Sequence, residues 1–262
     1  MKEELYHQMR ELENSYWWYV ARRKIILSLV TKFFHRPEGR VRVLDIGCGT
    51  GSMLRWLATY GEVRGIDASP VAVTYAQDQA PTAEVRQVVF PKEPLPWRDR
   101  YNLITLLDVL EHLDDDLGAL HHVQALLADG GMLVLTVPAF QFLWSGHDEA
   151  HHHRRRYTRR ALRQKLEAAG FTVAKLSYFN SLLALPILGV RLLGKVLRRG
   201  QPASDLRRSP RSVNAVLTRV FGFERFILRF ISMPVGVSII AIVERAAPLG
   251  TATALEVARL TN

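Results

Sequence analysis

Three clusters of residues in this 262-residue chain have types and spacings that can do chemistry. The first is VLDIGCGTG, Val43 to Gly51. An apolar run delivers Asp45, and Gly47, Cys48, Gly49, Thr50 and Gly51 follow as a turn in which alternate residues lack a Cβ. Such a turn lets a ligand approach the backbone at the start of the next helix. An acid beside the glycines would repel a pyrophosphate, but it suits a ligand bearing an ammonium group. The second cluster is GIDAS, where Asp67 closes another apolar run and can accept both hydroxyls of a ribose. The third is WSGHDEAHHHRRRYT, Trp144 to Thr158, with His147, Asp148, Glu149, His151, His152 and His153 ahead of three arginines. His147 and His151 have the i, i+4 spacing with which a helix can ligate zinc. Gly146, the charge density and the lack of a cysteine favour a solvated loop instead, and no metal site is expected.

The elements that must position these clusters are legible from periodicity. Residues 5–35 read as helical, with Trp18, Ile25, Ile26, Leu29 and Phe33 near a helical period. From Val41 strands and helices alternate. Strands are expected at 41–47, 62–67, 83–90, 101–110 (ending in a turn), 132–138 and 171–179. Helices are expected at 52–61, at 69–80 with Ser69 as N-cap and Pro70 in the first turn, at 116–128, and at 158–169. This rhythm predicts an α/β fold with a mostly parallel sheet and helices on both faces. Both the glycine turn and Asp67 then fall at carboxyl ends of strands, where open sheets bind ligands. Residues 181–230 break the rhythm: they are apolar, basic and helical in pattern, around a polar stretch at 200–212 expected to be a mobile loop. A last strand is expected at 235–245.

At this point the chain resembles the class I S-adenosylmethionine-dependent methyltransferases. The resemblance rests on VLDIGCGTG, GIDASP, DVLEHLDDD and GGMLVLTVP in that order, over about residues 10–180 and the last strand. It implies a Rossmann-like, seven-stranded sheet with a helical insertion before the final strand. It implies S-adenosyl-L-methionine as cofactor and S-adenosyl-L-homocysteine as product. Asp45, Gly47 and Gly49, within the turn that holds Cys48 and Gly51, would frame the methionine part. Asp67 would hold the ribose, with Ala68 near the adenine, and Asp108 and Val109 would close the other side. The chain departs from the family after the third strand, where Pro91 stands in place of an acid that contacts the adenine; Phe90 would stack there instead. The helix with Trp18 and Arg22 is similar to a lid helix of one subfamily, with Arg22 pairing the cofactor carboxylate.

Methyl transfer needs alignment of donor and acceptor and, for a hydroxyl, removal of a proton. No [DN]-P-P-[YFW] follows the fourth strand, which argues against adenine-N6 and glutamine amide acceptors. The single cysteine, Cys48, sits in the cofactor turn, which argues against cytosine-C5 chemistry. His112 is a candidate base, and with Glu111 it could bind a divalent cation in some relatives. The resemblance extends to the third cluster, through Pro138, Ala139, Leu143, Trp144, Ser145, His147, Asp148, His153, Arg155, Arg156, Tyr157 and Thr158. On it His147 is the expected base with Asp148 orienting it, while Tyr157, Arg156 and Trp144 line the acceptor pocket.

The composition sets the remaining limits. Net charge is +10, and residues 151–230 hold 18 Lys/Arg against 3 Asp/Glu. A basic surface of this kind predicts an anionic partner. One cysteine permits no internal disulfide, and the polar, acidic N-terminus is no signal peptide, so a cytoplasmic setting is expected, with peripheral attachment to a membrane. Arg191, Lys195, Arg198, Arg199, Arg207, Arg208 and Arg211 would meet anionic headgroups. Aromatic residues are absent from 185–220, which weakens a nucleic-acid role. The organisation expected is a helical lid (1–40), a cofactor-binding core (41–180), a helical insertion (181–230), and a final strand with tail (231–262). The function expected is methylation of a small, lipophilic or lipid- or glycan-linked acceptor, O-methylation before C-methylation. The alternatives are an RNA methyltransferase and a catalytically degenerate cofactor-binding subunit.

Overall fold

A computed structural model describes residues 3–189 and 210–245. Seven strands form one sheet: β1 (Arg42–Ile46), β2 (Glu62–Asp67), β3 (Glu84–Gln87), β4 (Tyr101–Leu107), β5 (Leu127–Pro138), β6 (Phe171–Phe179) and β7 (Ser238–Arg245). Their order is β3-β2-β1-β4-β5-β7-β6. β7 runs antiparallel to both β5 and β6, and the other pairs are parallel. Alternation along the strands divides the core in two. Leu44 and Ile46 of β1 face one layer with Leu120, Val123, Leu162 and Leu166, while Val43 faces the other with Ile25, Ile26, Leu29 and Val73.

The first layer is covered by α5 (Asp116–Leu126) and α7 (Arg159–Ala168), the second by α2 (Trp17–Phe33), α4 (Pro70–Gln79) and α8 (Arg211–Leu228). α1 is Glu3–Leu12, α3 is Leu54–Leu57 and α6 is Gly146–Ala150. The expected cap at Ser69 is present, and Thr158 caps α7 in the same way, each accepting from a backbone N–H three residues on. α2 and α8 pack together: the Trp17 and Phe221 rings meet at 5.9 Å, and the Asn214 carboxamide oxygen accepts the Trp17 N–H at 2.8 Å.

Several boundaries differ from the sequence expectation. The helix expected over 5–35 is two helices, because the chain turns between Leu12 and Trp17, where the Arg23 guanidinium donates to the Glu13 carbonyl. The helix expected over 52–61 shrinks to α3. The residues after it make tighter bonds, such as Tyr60 N–H to the Leu57 carbonyl, and Gly61 lies so close to Val41 that a Cβ would come within 2.3 Å of its carbonyl oxygen. β3 stops at Gln87, three residues short. α5 ends at Leu126, and the chain is extended from Leu127, with a register shift between the Tyr101 and Leu103 pairings. Arg191, Lys195, Arg198, Arg199, Arg207 and Arg208 lie outside the described residues, as do residues 200–209 of the polar loop expected over 200–212; its last two residues, Arg211 and Ser212, open α8 instead.

Candidate active site

The carboxyl ends of the parallel strands open into one cavity of about 680 Å³. At one end the chain leaves β1 through the glycine turn. Gly47 has φ +70°, and a Cβ there would lie 2.3 Å from Val109 Cγ2. Gly51 has φ +89° and packs so closely on α4 that a Cβ would come within 2.7 Å of Ala76 Cα. These two positions require glycine on both grounds, handedness and space. Asp67, at the end of β2, accepts the Gly49 N–H through one carboxylate oxygen and the Ser69 N–H through the other, each at 2.9 Å. Its carboxylate is thereby fixed at the cavity floor beside Ala68, Val88 and Phe90. Burial pushes its pKa up while the two backbone donors pull it down.

Asp45 takes a different place from the one its motif implies. It is 2% exposed and does not line the cavity; it accepts the Thr105 hydroxyl at 2.6 Å within the sheet. Burial raises its pKa to about 7. Cys48 is buried with its thiol pushed up by the same cause, and Gly51 also stays off the cavity wall. These three shape the turn from behind.

The opposite rim comes from β4, β5 and the N-terminal helices. Asp108 follows β4 with φ +57°, and Asn180 follows β6 with φ +53°. Left-handed backbone at non-glycine residues is costly, and both line the cavity. Arg22 of α2 pairs with Asp108 at 2.6 Å and donates to the Thr136 hydroxyl at 2.8 Å; Trp18 lies 4.9 Å beneath its guanidinium. Trp18 and Arg22 therefore stand on the cavity wall, with the cation held by Asp108. Tyr6 and Met9 of α1 cover the glycine turn as well, which the sequence reading missed; helical periodicity alone gave α1 no reason to reach over the sheet.

In the third cluster Gly146–Ala150 forms a short helix where a loop was expected, while His151 to Arg156 lie outside any helix. Ser145 and Asp148 make a capping box at the start of α6, so the charge-dense stretch is ordered by its own side chains. Asp148 is 0% exposed. It receives His153 Nδ1 at 2.9 Å and two Arg156 nitrogens at 2.8 Å each, and these, with burial opposing them, hold its pKa below the usual carboxylate range. The imidazole that these bonds orient is that of His153. The rings of His147 and His151, one helical turn apart, lie with centroids 4.1 Å apart and planes tilted by 34°. His147, His151, His153, Arg156 and His112 line the cavity, whereas exposed His152, with φ +56°, and half-buried Trp144 do not. Tyr157 is also off the wall; its hydroxyl donates to Asp116, where Lys165 and Arg155 converge.

Several buried polar atoms on this wall have no hydrogen-bond partner: both carboxylate oxygens of Glu111, Asn180 Oδ1 and His151 Nε2. Glu111 is 0% exposed, and burial first, then Asp108, pushes its pKa well up. Burial lowers His112 to about 4, so its imidazole is neutral at pH 7. Ligand atoms of Glu111, His112 and His153 lie within 4.8 Å of one another, a donor set that could hold a divalent cation. The remaining wall is apolar: Leu183, Pro186, Ile187 and Leu217, with Trp17. Asn180 carries no signature in the sequence beyond its position after a strand. The signal for Glu111 was present in DVLEHL, but burial could not be read from it.

A family profile described as a methyltransferase domain matches residues 17–176. The ubiquinone biosynthesis O-methyltransferase of Alkalilimnicola ehrlichii is 36% identical over 115 residues, 42% of this chain and 46% of that protein. The chain spans less than half the length of the curated relatives it matches first. A TehB-like SAM-dependent methyltransferase from Corynebacterium glutamicum shares the fold with a TM-score of 0.52 at 15% identity, over 85% of this chain and 87% of that one. Phosphoethanolamine N-methyltransferase 2 of Haemonchus contortus, solved with S-adenosyl-L-methionine, gives 0.54 at 14% identity, over 84% and 52%. At such identities the likeness is one of fold.

Proposed function

The chain belongs to the methyltransferase-domain family, and on that premise we propose that it moves a methyl group from S-adenosyl-L-methionine to a hydroxyl of a small, lipophilic acceptor. The residues present fit that cofactor. Asp67 offers a fixed carboxylate to a ribose, and Ala68, Val88 and Phe90 offer a flat apolar wall beside it for an adenine. The Cβ-free turn at Gly47 and Gly49 leaves room for the amino-acid end, with Arg22 at hand for its carboxylate. Bound there, the cofactor supplies a methyl carbon already activated by a sulfonium.

One observation carries the reading: a single cavity joins the glycine turn to a wall of imidazoles and unpartnered polar atoms, and then to an apolar end. The carbon–sulfur bond breaks as a carbon–oxygen bond forms, and the hydroxyl proton must leave. His147 of α6, with its ring against that of His151 at the end of the helix, is the base we assign. His112 is the second imidazole placed for that role. Asp148 and Arg156 act behind them by holding the loop in place. The apolar end formed by Leu183, Pro186, Ile187 and Leu217 suits an acyl or isoprenoid group, and the name of the Alkalilimnicola relative points the same way. The acceptor on this reading lives in a lipid phase.

The test is a screen with labelled methyl donor over polar, lipid and RNA fractions. Label in a lipid product is expected. Label confined to RNA would replace this reading with an RNA methyltransferase. Cofactor binding without label in any fraction would leave a binding subunit.

A further inference from the structure

Apolar residues are well buried except along one flank. Of the thirteen large apolar side chains that stand exposed among the described residues, ten lie between positions 182 and 235. Val213, Val216, Val220, Phe223, Phe226 and Phe230 recur at spacings of three and four, so they share one side of α8 and its last turn. The other side of α8, with Phe221 and Leu228, is docked in the core. Leu185, in the segment after β6, is 80% exposed, and Phe230 is 79% exposed. An outward apolar stripe of this length contributes nothing to the fold, and soluble surfaces rarely carry one without a partner.

The charges around it select the partner. The described residues of 181–235 contain Arg211, Arg219, Arg225 and Arg229. Their one acid, Glu224, is 0% exposed and accepts the Ser181 and Leu182 N–H groups, which ties the segment after β6 to α8. A shallow groove between α2 and α8 brings Lys24 beside Arg225 and Arg229, with Phe226 on its wall. A second copy of this chain would set those cations against one another. Nucleic acid would match the arginines, and the phenylalanines could stack on bases, but Leu185, Val213, Val216 and Val220 would stay in water. A sheet of anionic headgroups over acyl chains matches both.

We infer that this flank docks on a bilayer bearing anionic lipids, with the apolar stripe of α8 in the acyl boundary and the arginines among the phosphates. No described helix is long and apolar enough to cross a membrane, so the contact lies in the interface. The inference rests on the lipophilic-acceptor reading and extends it. Leu183, Pro186, Ile187 and Leu217 line the cavity from the inner side of the same two segments whose outer side carries Leu185 and Val216. An acceptor embedded in the bilayer would reach the cavity between them without its apolar part crossing water.

Flotation of the full chain with vesicles of phosphatidylcholine, with and without phosphatidylglycerol, tests this. Recovery with the anionic vesicles is expected to be about tenfold higher and to fall at about 0.5 M salt, where exposed charges are screened. Phe223→Ser with Phe230→Ser, and separately Arg219→Glu with Arg225→Glu, should each lose that recovery while retaining S-adenosylhomocysteine binding by calorimetry. The inference is overturned if the wild type stays with neither vesicle, if both compositions recover it equally, or if either variant pair floats like the wild type. A dimer in sedimentation that the phenylalanine changes dissolve would assign the flank to a second copy and also overturn it. Vesicle binding by a chain that binds no S-adenosylhomocysteine would instead defeat the proposed function and leave the docking face standing.

Discussion

Asp67 and Asp45 show how two acids at equivalent strand ends take separate jobs. Asp67 faces the cavity and is held by two backbone donors, and on the proposed function it is the group that receives the ribose. Asp67→Ala is expected to weaken S-adenosylhomocysteine binding by at least about 100-fold, the scale of a lost charged hydrogen-bond pair. Unchanged affinity in calorimetry would sink the ribose assignment. Asp45 faces Thr105 and is buried, with its pKa raised to about 7. An acid raised in the folded state ionises first in the unfolded chain. Its contribution to stability is therefore present at low pH and is lost as pH rises towards about 7. Asp45→Asn should gain on the wild type by about 2 kcal/mol between pH 5 and pH 8 in urea melts. A pH-independent difference between the two would show that Asp45 is ionised throughout. The motif announced both aspartates, but the side of the sheet each would face was not legible. It depends on the register of β1 against β4, which pairs Asp45 with Thr105.

At the scale of elements, α6 and the segment after it are the informative case. In sequence they read as a charged loop with several metal-capable side chains. In the structure Asp148 is the hub: it caps α6, receives Arg156 and fixes His153. The Arg154 N–H then donates to the Glu111 carbonyl at 2.8 Å, which ties the histidines to the turn after β4. Asp148→Ala leaves a buried guanidinium unpaired and should destabilise the chain by about 3–5 kcal/mol in urea melts. A loss below about 1 kcal/mol would show that water replaces the carboxylate. His147→Ala keeps this hub intact. It should leave S-adenosylhomocysteine affinity unchanged while cutting single-turnover methylation by about 100-fold or more. If the rate holds, the proton goes to another imidazole, and His112 is the next to change. Periodicity gave β1, β2, β6 and α7 nearly to the residue, while β3, β4, β5 and β7 each differ from expectation by three to five residues at one end. It failed on α6 because five residues are too few to show a period, and a capping box acts through side-chain geometry.

For the whole molecule, the cavity is shared between distant parts of the chain. α1 roofs the glycine turn with Tyr6 and Met9, α2 supplies Trp17, Trp18 and Arg22, and α8 supplies Leu217. Glu13, between the first two helices, is buried and accepts from Thr50 in the turn itself. Removing residues 1–12 should therefore raise the S-adenosylhomocysteine dissociation rate by about tenfold or more, through loss of closure over the ligand. The sheet should persist, because β1 to β7 and α2 keep their contacts. Stopped-flow release at an unchanged rate would show that α1 is packing and not a roof.

By itself the sequence determined the order of strands and helices, the glycine turn at the end of β1, and the acid at the end of β2. These depend on local rules: burial alternates with strand and helix period, and only glycine tolerates the φ and the spacing at Gly47 and Gly51. Only the tertiary structure decided that β7 inserts between β5 and β6. It also turned Asp45 inward, made His153 the histidine fixed by Asp148, and placed α8 with one apolar side in the core and another in solvent. Each of these depends on which surfaces meet across long sequence separations, and a residue's neighbours along the chain do not encode that.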